Sequence, residues 1–361
     1  MIYFLKSFFY FLFSRNNYID VVFYYPHHFN RGFEEENIFF NHLYNSCRNN
    51  NISYVVFEEP DYYSNQNRNA KAVPFDFIYV LIIILRKFIK SDKKIARILS
   101  LTILKGYRFK NCIVLSQSMT SIFRGLNSQA NIYDLQHGII YSEKSSYILN
   151  GEVSIKIKEN NIKLLLFGDK FKNILDTSDS SGYLIGNSYV IGVNRIDSSI
   201  LHRRFNNNIL VTLQFTNDHT NQQNNNLLME LIEFIKLNRE YNFYLRNHPR
   251  FNNAFNINPL FLFDNVYVSN DLLFESFKLC SLHLTAYSST TFEASYFGIP
   301  TLFLKSLSKE YNMFFKDFDY VLDNDIKHII ANYNECSNMV KRWESLFYSD
   351  YNEQKFLSLL K

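Results

Sequence analysis

Leu282–Leu304, LHLTAYSSTTFEASYFGIPTLFL, is the stretch whose reading decides the fold. Leu282–Ala286 is apolar and of strand length. Four hydroxyl residues follow, Ser288, Ser289, Thr290 and Thr291, and then a helix-like segment, Phe292–Phe297, with Glu293 near its start. Gly298 stops that segment and Pro300 precedes a second apolar run, Thr301–Leu304. Ser and Thr favour helix starts, Glu favours the first turn, and Gly then Pro end a helix. The segment therefore reads as strand, hydroxyl turn, short helix, strand. Unpaired N–H groups and hydroxyls at such a turn suit a phosphate or diphosphate; ordinary capping accounts for the same residues without a ligand.

Upstream, Asn242–Leu245 (NFYL) is strand-like and runs into Arg246, Asn247, His248, Pro249 and Arg250. The residue before a proline is pushed out of helix, so His248 is expected in a loop at a strand end. In open α/β sheets ligands bind at the carboxyl ends of strands. An imidazole flanked by two guanidinium groups suits an anion, or else forms a solvated basic turn.

A strand ending in His-Pro, followed by a strand ending in Ser-Ser, a Glu-headed helix and G-x-P, resembles the donor-binding domain of GT-B glycosyltransferases. The pattern is most similar to bacterial surface-polysaccharide enzymes that use CMP- or CDP-activated donors: capsule sialyltransferases, Kdo transferases and CDP-glycerol glycerophosphotransferases. The resemblance implies donor-phosphate contacts at His248, Ser288 and Ser289. It extends to Tyr133–Gly138 (YDLQHG), similar to a "QHG" segment whose histidine is a proposed general base, here His137. Val190–Asp197 (VIGVNRID) is similar to an interdomain "xxGxxRxD" segment. The likeness spans residues 130 to 305 and leaves residues 1 to 120 unmatched. Ile139 and Ile140 stand where one branch continues "HGTP", and no Glu-Asp-Gly segment of the sialyltransferase kind occurs.

Within 361 residues there is room for two domains with substantial cores. Apolar content of 47% marks a globular chain, and a net charge of +4 makes no case for a polyanion partner. No interleaving of basic and aromatic residues suited to nucleic acid is present. The 36 Phe and 26 Tyr fit a codon-driven drift first and sugar-stacking surface second. Cys47, Cys112, Cys280 and Cys336 have no paired spacing, which points to a reducing compartment and to neither a metal nor a redox motif. Asp317-Phe318-Asp319 and Asp323-Asn324-Asp325 have D-x-D spacing, but neither closes a clear strand and the second reads better as a helix cap. No metal is expected, in line with what the GT-B resemblance implies.

Tyr18–Tyr25 is a strong first strand. His27, His28 and the run Glu34, Glu35, Glu36 follow it as candidates for acceptor contact or base, against the plain reading of acidic residues favouring a helix start. His137, between a strand and a glycine, suits acid–base work or a structural role, and Asp134 lies close enough in sequence to orient it. Met1–Phe13 is apolar but too short to span a bilayer: it is a first core element or an interfacial helix. Phe77–Leu85 is apolar throughout and leads into Arg86, Lys87, Lys90, Lys93, Lys94 and Arg97, a buried helix with a solvated end or a surface for anionic head groups.

The expectation is an α/β protein of the GT-B fold, with two Rossmann-like parallel-sheet domains facing a cleft. Residues 1–200 form the acceptor-side domain and residues 201–361 the donor domain, with the last helices returning to the first. His137 and Glu35 are the candidate bases, with Asp134 in support. Arg246, His248, Ser288, Ser289 and Thr290 hold the donor phosphates, and Gln214, Val268, Ser269 and Glu293 the nucleotide or ribose. The expected activity is metal-independent glycosyl transfer from a nucleotide-sugar co-substrate to a lipid-linked or polysaccharide acceptor. No cofactor is expected, and the expected location is cytoplasmic or peripheral on the inner membrane face. The rivals are polyol-phosphate or pyruvyl transfer, a non-catalytic subunit of a polysaccharide assembly complex, and a non-hydrolysing sugar epimerase.

Overall fold

The computed structural model describes residues 1–13, 18–30, 37–62, 64, 66–195, 200–216, 219–248 and 255–361. The chain divides into two compact units, Met1–Asn194 with Ser349–Lys361, and Arg195–Tyr348. The sequence reading divides the chain at residues 200 and 201 and lets the last helices return to the first domain; in the structure the second unit starts at Arg195, and the last helix of the chain, Glu353–Leu360, belongs to the first unit.

The first unit is built on β1 (Tyr18–Pro26), β2 (Tyr54–Glu59), β3 (Val73–Pro74), β4 (Arg108–Leu115) and β5 (Asn131–Leu135), with a hairpin of β6 (Ile148–Leu149) and β7 (Glu152–Val153). β8 (Ile162–Leu166) and β9 (Ser188–Val190) complete a seven-stranded parallel sheet, order β3-β2-β1-β4-β5-β8-β9. Phe23, Tyr24 and Tyr25 are all buried on β1, as expected of a strand covered on both faces. The returning chain closes tightly on this unit. Val193 N–H donates to Ser349 O, Asn352 N–H donates to Ile191 O, and a Cβ on Gly192 would clash with Asp350 O.

The second unit carries β10 (Asn208–Thr212), β11 (Asn242–Arg246), β12 (Val266–Val268), β13 (Leu282–Thr285) and β14 (Thr301–Phe303). All are parallel, in the order β12-β11-β10-β13-β14. The deciding stretch folds as read, with its helix at Thr290–Tyr296, two residues earlier than the spacing predicts. Phe292 anchors that helix: its ring stacks on Trp343 at 4.8 Å and meets Phe347 edge-on at 5.2 Å. Trp343 and Phe347, an i, i+4 pair, are both buried as the sequence predicts, and the indole N–H donates to Phe318 O at 2.7 Å. Asp325 caps the helix Ile326–Ala331, accepting from Lys327 and His328 N–H, so the second D-x-D segment is a cap.

Candidate functional site

In the second unit β11 lies on one side of β10 and β13 on the other, so the strand order switches between β10 and β13. Chains leaving the carboxyl ends of these two strands diverge and leave a crevice, the usual ligand position of open α/β sheets. Thr212 is in register with Arg246 on one side and Thr285 on the other. At a strand spacing of about 4.8 Å, Arg246 and Thr285 are therefore roughly 10 Å apart along one edge. His248, Gln214, Val268 and the Ser288–Thr290 row all leave the sheet at this edge.

Within that edge the side chains divide by what already holds them. Ser288 Oγ accepts from Thr290 N–H at 3.2 Å and donates to Thr290 Oγ1 at 2.9 Å, so it is tied into the turn that leads into the helix. Ser289 makes no side-chain cap bond and its hydroxyl has no partner among the described residues; it is half-buried, suited to an incoming acceptor oxygen. His248 is half-buried; Pro249 and Arg250 lie outside the described residues. Arg246 Nη1 donates to the carbonyl of Asp271, and burial lowers its pKa. Gln214 is buried just past β10 and Val268 is exposed at the end of β12. Ser269 is buried, and its Oγ lies 2.8 Å from Ser276 Oγ, pinning the helix Leu273–Leu279 to the sheet. Glu293 is exposed in the first helical turn, with its charge felt at Glu344 and Tyr348.

Two further groups in this unit escaped the sequence reading. Tyr287 Oη lies 2.8 Å from His219 Nε2, and His219 Nδ1 lies 3.1 Å from Asn224 Oδ1, which bridges the loops after β10 and β13. Below the crevice Thr212, His283, Thr285 and Thr301 form a buried polar ladder. Thr212 Oγ1 donates to Thr285 Oγ1 at 3.0 Å, so His283 Nε2–H donates to Thr212 Oγ1 at 2.8 Å and Nδ1 accepts from Thr301 at 3.0 Å. Burial pushes the His283 pKa down to about 3.

The first unit switches strand order between β1 and β4. His28 Nδ1 lies 2.6 Å from Asp61 Oδ2, and His27 Nδ1 accepts from Asp61 N–H at 2.8 Å. Glu59, whose pKa is raised by burial, accepts from Tyr24 Oη at 2.7 Å and from Ser118 Oγ. His137 is half-buried, its ring edge-on to Phe29 at 5.2 Å; Phe29 lies 4.2 Å from the His28 ring. Asp134 does not orient His137. Its oxygens accept from Gln117 N–H and Tyr147 Oη, each at 3.1 Å, and burial raises its pKa to about 6. Lys144 donates to Ile139 O at 2.6 Å, and burial lowers its pKa to about 8. Glu35, with Glu34 and Glu36, lies outside the described residues.

No family model matches the sequence, and no curated protein does. Solved structures match nearly the whole chain. The UDP-GlcNAc 2-epimerase of Methanocaldococcus jannaschii, in complex with UDP-GlcNAc and UDP, aligns with TM-score 0.57 and 11% identity over 94% of this chain and 99% of its own. The UDP-GlcNAc 2-epimerase of Neisseria meningitidis bound to UDP-GlcNAc gives 0.52 and 13% over 94% and 99%. The wall teichoic acid polymerase TagF gives 0.54 and 12% over 98% and 92%. At such identities the likeness is one of fold. The chain has two Rossmann-like parallel-sheet domains, of seven and five strands, and its fold is GT-B.

Proposed function

We propose that this chain is a glycosyltransferase that moves a sugar from a nucleotide-activated donor, CMP- or CDP-linked before UDP- or GDP-linked, to a growing surface polysaccharide such as capsule or O-antigen. The observation that carries the reading is the convergence of His248, Ser288, Ser289 and Thr290 on the switch-point edge of the second sheet. There the imidazole and the Ser289 hydroxyl grip the donor phosphates. Charge grows on the leaving phosphate as the sugar bond breaks, and fixed donors at that point lower the barrier; losing one typically costs about 10²–10³ in rate. A base of the first unit, His137, takes the acceptor hydroxyl proton. No bound metal is required, and the reaction takes place at the inner face of the cytoplasmic membrane.

The test has two parts. Calorimetric titration with CMP, CDP, UDP and GDP identifies the nucleotide, and donor turnover with acceptor polysaccharide identifies the reaction. His248→Ala is expected to weaken nucleotide binding and turnover together, and His137→Ala to remove turnover alone. Full activity in both variants overturns the assignment. The resemblance to two UDP-GlcNAc 2-epimerases favours epimerisation as the second reading. A changed sugar in the absence of any acceptor decides for it.

A further inference from the structure

The helix Ile2–Phe13 is apolar on both sides apart from Lys6, which is exposed, and Ser7, which is buried. Its inner side is fixed to the first unit: Phe4 and Phe8 meet Phe77 edge-on at 5.6 and 5.1 Å, and Ser7 Oγ accepts from Phe77 N–H. Phe11 is buried against Phe57 and Phe75. Its outer side carries Ile2, Leu5, Phe9 and Leu12, spaced three and four apart, and Phe13, all exposed; Phe9 and Phe13 stack on each other at 6.1 Å. A helix buried by one apolar face does not ordinarily turn a second one to water.

Phe77 lies in the first turn of the helix Asp76–Arg86, and this helix continues the same chemistry. Its far end exposes Ile83 and Ile84, and just beyond it Phe88 is 80% exposed. Arg86, Lys87, Lys90, Lys93, Lys94 and Arg97 follow, all exposed, against Asp92 alone, which Arg86 pairs at 2.8 Å. Ile98 and Leu101 are exposed on the next helix, Asp92–Leu101. Large apolar side chains and cations thus alternate along one exposed stretch of chain. Neither a water-facing helix nor a protein core has use for that mixture. A lipid head-group layer does: aromatic and aliphatic tips enter the acyl boundary while lysine ends stay at the anionic surface.

We infer that the outer face of Ile2–Phe13 and the Ile83–Arg97 segment form one surface that docks on anionic bilayers. No described helix is long and apolar enough to cross a membrane, so the contact is interfacial. This surface is independent of the transferase reading: vesicle binding without nucleotide binding leaves it standing and removes the other.

The full chain is sedimented with vesicles of phosphatidylcholine, with and without phosphatidylglycerol. Binding at least about tenfold tighter to the anionic vesicles is expected, weakening as salt rises. Lys87→Glu with Lys90→Glu is expected to abolish the preference for phosphatidylglycerol. Phe9→Glu with Phe88→Glu is expected to weaken binding even at low salt. Circular dichroism checks both variants, and the charge pair decides if the apolar pair does not fold. Equal binding to both vesicle types, no binding to either, or a dimer in sedimentation velocity that Phe9→Glu dissociates overturns the inference; the last assigns the face to a second copy of this chain.

Discussion

A single nitrogen of Arg195, Nη1, sits between both carboxylate oxygens of Glu344, 2.8 and 2.9 Å away. The pair is sealed in the second unit: Glu344 is 2% exposed, the guanidinium lies 4.6 Å over the Tyr296 ring, and Nη2 donates to Tyr348 O. Burial raises the Glu344 pKa to about 7 while Arg195 opposes it.

Removing Arg195 therefore strands a buried carboxyl. Arg195→Leu is expected to lose about 3–5 kcal/mol of stability at pH 8, where Glu344 is ionised. The loss shrinks at pH 5, where the carboxyl binds a proton. In the parent, the raised pKa makes the contribution of Glu344 complete below about 4.5 and lost as pH rises through about 7. Urea denaturation at pH 5 and 8 measures both effects; equal losses at the two values contradict the account.

His283 gives the opposite pH slope. Its folded pKa of about 3 lies below the ordinary 6.5, so the unfolded chain takes up a proton that the folded one refuses. Stability from this group is complete above 6.5 and lost as pH falls towards 3, at up to about 1.4 kcal/mol per pH unit. His283→Gln is expected to flatten that acid limb. It also costs about 1–3 kcal/mol at pH 7.5 by leaving Thr212 or Thr301 unmatched. A variant as acid-sensitive as the parent between pH 6.5 and 4 rules the explanation out.

The strands were legible because parallel strands buried on both faces read as short apolar runs, and Tyr18–Tyr25 and Leu282–Ala286 fall within a residue of their observed ends. The hydroxyl row and the His-Pro turn were legible because each is local in sequence. What escaped joins distant positions: His28 with Asp61 across 33 residues, His219 with Tyr287 across 68, Arg195 with Glu344 across 149. Such pairs are set by strand order and register, which no local pattern encodes. Asp134 misled for a related reason. A carboxylate three residues before a histidine looks placed to orient that ring, until Gln117 and Tyr147 arrive from elsewhere in the fold.

Gly192 tests the closing of the first unit by the returning chain. Its φ of +77° is a left-handed conformation, and the Asp350 carbonyl occupies the place of a side chain. Gly192→Ala is expected to cost about 1–2 kcal/mol for the backbone alone, with the clash added. Thermal melting reads the loss. Asp350→Ala keeps the same backbone carbonyl and is expected not to relieve it; restored stability in the double variant would show that the carbonyl is not the obstacle.

The two adjacent serines of the crevice separate fold from function. Ser288 accepts from the first N–H of the helix, so Ser288→Ala is expected to lose about 1 kcal/mol of stability whether or not nucleotide binds there. Ser289 makes no cap bond, so Ser289→Ala is expected to leave the melting temperature nearly unchanged. On the proposed reading its hydroxyl meets a charged phosphate oxygen, an interaction of about 1.5–3 kcal/mol. Nucleotide affinity should then fall about ten- to a hundredfold in Ser289→Ala, measured by calorimetry with the nucleotide that the parent chain binds. Undiminished affinity in Ser289→Ala, beside a destabilised Ser288→Ala, would mean that the hydroxyl row serves the helix alone and that the nucleotide is held elsewhere.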